Sequence, residues 1–179
     1  NAASDVECGV QIWMSPDGLH LGFEGQLRGP GRFDLLRPPV WYRNEYVFTA
    51  ASHFTQDWSF RAEKSVRDRR AFLTNWVDVV AADQFRFLRD GRVVSEGELV
   101  PSNDRNGSTR GRAIPDAVCF SRAGSPVLSW TDFRTPDGIE PNVFMQRQRL
   151  FATLLDGPPA TMEEGRWYTF HANWSVDAR

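Results

Sequence analysis

Lysine is almost missing from this chain: of 21 basic side chains, only Lys64 is not an arginine. The net charge is −2, so the basic excess that general nucleic-acid or anionic-membrane binding requires is absent. No run approaches 18 apolar residues, which excludes a helical membrane span. Histidine occurs only as His20, His53 and His171, and no two have a ligand-like local spacing, so no metal site is expected. There is no Gly-x-Ser-x-Gly nucleophile motif and no glycine-rich phosphate loop; the glycines at 22, 25, 29 and 31 read as turn residues. No cofactor is therefore expected, and no decisive catalytic signature stands out.

Cysteine is scarce too, at two residues, Cys8 and Cys119. A single bridge between them would close a loop of more than 100 residues, worth roughly 4–5 kcal/mol in the chain-entropy model. Such a bridge implies an oxidising compartment. Two sequons, at Asn106 and Asn173, point the same way. The opening segment Asn1 to Gly9 has no basic or hydrophobic stretch and reads as a mature start. The expectation is a secreted or otherwise extracytoplasmic glycoprotein with a Cys8–Cys119 disulfide.

What the chain does have is aromatic residues, seven of them tryptophan. They crowd between Val40 and Arg61, as Trp41, Tyr42, Tyr46, Phe48, Phe54, Trp58 and Phe60. Rings carry the largest hydrophobic payload per residue, so such a stretch is a core, a binding face, or both. At 179 residues, 41% hydrophobic and 25% charged, the chain suits one globular domain spanning 1–179. A chain of this size buries roughly 70% of its unfolded surface.

Period-two alternation recurs along the chain. Leu19, Leu21 and Phe23 alternate with polar residues or glycine after the turn Ser15-Pro16-Asp17-Gly18, giving a hairpin over 10–24. Residues 41–50 and 57–63 read as strands, the first with large side chains on both faces. Asp90-Gly91 marks a type I′ hairpin within 84–99. Residues 101–115 read as a long polar loop, followed by strands at 117–120 and 127–133. Two segments fit helix and strand alike. Residues 65–82 lean to a short helix through Leu73, Trp76, Val77 and Val80. Residues 142–155 fit a helix bounded by Pro141 and Gly157.

The last segment supports a family resemblance. Arg149 to Gly157, then Gly165-Arg166-Trp167 running into an alternating strand that ends at Trp174, resembles the closing strands of concanavalin A-like jelly rolls. Laminin G-type modules and some polysaccharide lyases share that pattern, which here covers about 30 residues of the C-terminal segment. The resemblance implies a two-sheet sandwich with glycan or protein binding on its concave face. It transfers no catalytic residue.

The expected fold is therefore mainly β, a two-sheet antiparallel sandwich of jelly-roll type with one or two short helices. An α+β fold or a lipocalin-like barrel holding an apolar ligand is the alternative. The expected function is binding of a glycan or an extracellular protein through an aromatic and arginine face. Trp41, Tyr42, Arg43, His53 and Trp58 are the candidate ligand-binding residues, and Trp130 is a further candidate platform. A carbohydrate-active enzyme on the same scaffold is the alternative. Its acid–base groups would come from Glu24, Glu45, Asp57 and Glu63, or from Tyr42, Arg43, His53 and Arg61.

Overall fold

Turns with forced backbone geometry set the hairpins. Asp90 and Gly91 both take positive φ, 51° and 70°, the type I′ geometry that matches the right-handed twist of paired strands. Ala123 and Gly124 do the same at 49° and 77°. In the turn at 15–18, the Asp17 carboxylate accepts from the Ser15 hydroxyl at 2.5 Å and from the Leu19 N–H at 3.0 Å. Those bonds, the one from Ser15 first, hold the Asp17 carboxyl below its usual range.

The structure, a computed structural model, describes residues 10–27, 40–64, 66–67, 74–99, 109–113, 115–136, 139, 141–153 and 161–177. Within them the strands are, in chain order, β1 (Val10–Met14), β2 (His20–Leu27), β3 (Val40–Ala50), β4 (His53–Ala62), β5 (Val66–Arg67), β6 (Thr74–Asp78), β7 (Gln84–Arg89), β8 (Arg92–Glu98), β9 (Thr109–Ala113), β10 (Ala117–Arg122), β11 (Ser125–Arg134), β12 (Asn142–Gln146), β13 (Arg149–Thr153), β14 (Thr161–Met162) and β15 (Trp167–Val176). Nine form one antiparallel sheet in the order β1-β2-β3-β4-β15-β11-β10-β7-β8. Four form a smaller sheet, β6-β13-β12-β9, and β14 pairs with β5. The large sheet ends at β1 and β8 and does not close on itself. The protein is thus a mainly β sandwich, as expected, and the barrel alternative is set aside.

Both helix expectations are corrected among the described residues. Residues 65–82 contain β5 and β6, and 142–155 contain the hairpin of β12 and β13. The apolar residues of the latter satisfy two periods at once. Val143, Met145, Leu150 and Ala152 bury in alternation, and Arg147 takes a φ of 61° at the turn, which an uninterrupted helix cannot hold. Part of the expected loop at 101–115 is also a strand, β9.

The core lies between the sheets. From the large sheet, β4 sends Trp58, Phe60 and Ala62 inward, and β15 sends Tyr168, Phe170, Ala172 and Trp174. Trp58 stacks on Phe170 at 5.5 Å and on Phe133 at 5.9 Å between centroids. From the small sheet, Val143, Met145, Leu150 and Ala152 enter the same cluster. Tyr46, Phe48 and Phe54 also face inward but are only half-buried. Trp58 and Trp130, offered by the sequence as binding platforms, are 3% and 1% exposed. They are core, because strand parity points them between the sheets.

The two core indoles Trp130 and Trp174 stack at 5.9 Å yet differ in their N–H groups. Trp174 Nε1 donates to Gln56 Oε1 at 3.1 Å. Gln56, itself buried, donates onward to Asn44 Oδ1 at 3.0 Å and the Tyr46 hydroxyl at 3.2 Å. Trp130 Nε1 is buried with no partner among the described residues.

The expected Cys8–Cys119 disulfide reaches beyond the described residues. Cys8 lies outside the described residues. Cys119 lies on β10 and is half-buried.

Two measurements follow from these contacts. Trp174→Phe leaves the Gln56 carbonyl without its buried donor, whereas Trp130→Phe removes an orphan donor. Trp174→Phe should be the more destabilising by about 1–3 kcal/mol in urea unfolding; equal midpoints would refute the distinction. Peptide mapping by mass spectrometry should follow iodoacetamide uptake at Cys119 in folded and in reduced, unfolded protein. In the folded state Cys119 should react slowly, because burial pushes its thiol pKa up.

Candidate functional site

The outer face of the large sheet carries mostly polar residues, with tryptophans among them. On β4 this is His53, Thr55, Asp57, Ser59 and Arg61; on β15 it is Trp167, Thr169, His171, Asn173 and Ser175. The register lines these residues up in rungs across the strands.

One rung runs Gln26, Trp41, Arg61, Trp167 across β2, β3, β4 and β15. The Arg61 guanidinium lies over both indoles, 5.5 Å from the Trp41 centroid and 4.9 Å from that of Trp167. Arg43, on the next rung, lies over Trp167 at 4.7 Å. The result is a ladder of alternating indole and guanidinium planes, a cation–π arrangement that stiffens both partners. Carboxylates fix its edges. Arg43 forks onto Glu24 Oε2 through Nε at 2.7 Å and Nη2 at 2.5 Å. Glu63 Oε1 accepts from Trp41 Nε1 at 2.8 Å and Gln26 Nε2 at 2.5 Å. Beneath the ladder, Ser59 is buried and bonded to Thr169 at 2.9 Å between hydroxyls.

Two rungs along lie Trp13, Gly22, Glu45, Asp57, His171 and Arg134. Gly22 is needed because the Trp13 ring occupies the space over it; a Cβ there would collide with the indole. His171 Nδ1 meets Asp57 Oδ1 at 2.6 Å, and Nε2 meets Asn173 Oδ1 at 3.2 Å, with Asp132 Oδ2 at 4.0 Å. Asp132 sits in a bulge of β11 between Thr131 and Arg134, with a left-handed φ of 52°. Trp130 and Phe133 both point inward, so the bulge is what turns the intervening Asp132 outward with Thr131. Arg134 forks onto the Asp132 carboxylate, through Nε to Oδ1 at 2.8 Å and through Nη2 to Oδ2. Those bonds hold the Asp132 carboxyl below its usual range. Asn173 Nδ2 donates to Asp132 Oδ2 at 3.4 Å.

The sequence-derived site is only partly assembled. Trp41 and Arg43 meet on the outer face. Tyr42, their neighbour, points inward and packs edge-on against Phe23 at 5.9 Å, so it leaves the group. His53 is on the right face but at the far end of β4, bonded to the hydroxyls of Ser52 and Ser175. Glu24, Glu45 and Asp57 share the outer face and do not enter a groove between the sheets. Asn106 lies outside the described residues. The Asn173 amide nitrogen, the atom a glycan would occupy, is bonded to Asp132. The sequence reading passed over Trp13, Trp167, Asp132 and Arg134 as site residues. Their only signal was outward parity, which cannot be summed across strands until register is known.

No family model matches the chain and no curated protein sequence matches it. Among solved structures, the crystal structure of a GalM/aldose epimerase homologue from C. elegans is similar. Its TM-score is 0.50 at 12% identity, covering 94% of this chain and 68% of that one. At that identity the likeness is one of fold.

Gly22→Ala should expel the Trp13 ring without unfolding the protein, since Trp13 lies on an edge strand. The Trp13 indole N–H resonance should shift strongly while those of Trp41 and Trp167 hold; an unmoved Trp13 signal would contradict the seating described.

Proposed function

We propose that the chain binds a neutral glycan on the outer face of its nine-stranded sheet. The observation that carries this is the ladder of Trp41, Arg61, Trp167 and Arg43, edged by Glu24, Glu63 and Gln26. The indole surface left beside the guanidinium planes suits the apolar parts of sugar rings, and fixed carboxylate and amide groups suit their hydroxyls. The ladder is also held in place before any ligand arrives, which lowers the ordering cost of binding.

Charge argues for a neutral ligand. The face presents Glu24, Glu45, Glu63, Asp57 and Asp132 against Arg43, Arg61 and Arg134. Arg43 and Arg134 are each forked by a carboxylate, and the remaining acids disfavour a uronate or sulfate. The arginines of this face therefore serve stacking and internal pairing, not capture of an acidic sugar. The resemblance of the closing strands to concanavalin A-like modules supports a glycan ligand, as does a sandwich neighbour described as an aldose epimerase homologue. A glycan-binding role fits an extracytoplasmic location.

A carbohydrate-active enzyme is the second reading, and the His171–Asp57 pair favours it: a carboxylate orienting an imidazole is the geometry of a general base. The readings separate by experiment. Calorimetry against neutral and uronate oligosaccharides should show binding to the neutral series. Trp41→Ala and Trp167→Ala should each weaken it by about tenfold or more, the usual cost of truncating an aromatic anchor. Unchanged affinity in both variants, or preference for uronates, would overturn the proposal. Altered sugar products on prolonged incubation, lost in His171→Gln, would favour the enzyme.

A further inference from the structure

We infer that His171, Asn173, Asp132 and Arg134 form a second subsite, which grips the far end of the glycan and sets the chain length the protein prefers. This rests on the reading of the outer face as a glycan-binding surface. The two clusters occupy the same face of the same strands. Trp167 and His171 are four residues apart on β15, which at about 3.3 Å per residue puts them about 13 Å apart. One sugar ring seated on the Trp41–Trp167 ladder does not span that distance, whereas a di- or trisaccharide does. The rung between them carries only the hydroxyl residues Ser59 and Thr169 on β4 and β15. Arg43, on the same rung of β3, reaches over to Trp167 and so lines the path between the two clusters.

The far cluster has the chemistry to receive sugar hydroxyls. It presents an imidazole, an amide and a guanidinium–carboxylate fork side by side, with donors and acceptors interleaved. Its members are accessible: side-chain exposure is 69% for Arg134, 38% for Asp132 and 26% for His171. The mutual bonds hold these groups in fixed orientation. The bulge accounts for the carboxylate, since regular alternation after Thr131 would point Asp132 inward.

Asp132→Gly tests the subsite without endangering the fold. Glycine tolerates the left-handed φ better than aspartate, so this variant should melt at or above the wild-type temperature. Arg134→Ala removes an exposed side chain and serves as the second variant. The probes are malto- and cello-oligosaccharides of one to four rings, titrated calorimetrically. Wild-type affinity should rise by about tenfold or more between one and three rings in at least one series. Both variants should lose that increment while keeping monosaccharide affinity, whereas Trp167→Ala should weaken every length. If both variants retain the increment while Trp167→Ala abolishes binding, the subsite is refuted and the glycan face stands. If no oligosaccharide binds, or Trp41→Ala and Trp167→Ala both bind as wild type does, both readings fall.

Discussion

The antiparallel pairing of β4 with β15 at the centre of the large sheet is the constraint on which the rest of the structure hangs. Nine residue pairs run in unbroken register from Trp167–Arg61 to Ser175–His53. Parity along that ladder sorts every side chain. One parity delivers Trp58, Phe60, Phe170 and Trp174 to the core; the other delivers Arg61, Trp167, Asp57 and His171 to the outer face. A slip of one residue would exchange the two sets, burying guanidinium and carboxylate groups and exposing four large rings. Core burial and site geometry are thus the same fact seen from opposite sides of one sheet. The hydrophobic penalty for a slip protects the polar arrangement.

That coupling explains why the arginines pair with rings and acids inside the face. A guanidinium beside an indole keeps its edge free for hydrogen bonds while its plane is covered. Arg43 and Arg61 use this to fill the spaces between Trp41 and Trp167, so the face is rigid although its side chains are long. Gln56 plays a comparable part on the inner side. Its amide ties Trp174 to Asn44 and Tyr46 and lets a polar group live in the core with its bonds made.

Much of the fold was legible in the sequence, because turns that demand positive φ announce themselves. Asp90-Gly91 and Ser15 to Gly18 place their hairpins unaided, and the strands at 41–50 and 57–63 follow from alternation. The segment 142–155 misled because Val143, Phe144, Leu150 and Phe151 satisfy a helical period as well as a β one. Only pairing across β12 and β13 decides between them. The site was less legible. Trp41 and Arg43 could be chosen from aromatic density, but the same density swept in Tyr42 and Trp58, which parity sends the other way. Trp167 and Asp132 belong to the face through register with β4 and through a bulge, and neither is visible in one segment read alone.

The bulge at Asp132 also bears on how this surface could be gained or lost. Removing that single residue would bring Thr131 outward, Phe133 inward and Arg134 outward in plain succession, which is ordinary alternation. The sheet would lose an irregularity and no core side chain. A one-codon deletion could therefore erase the carboxylate beside His171 while leaving a well-ordered sandwich, and a one-codon insertion could create it. Along this strand, chain length governs the chemistry of the face more directly than residue identity does.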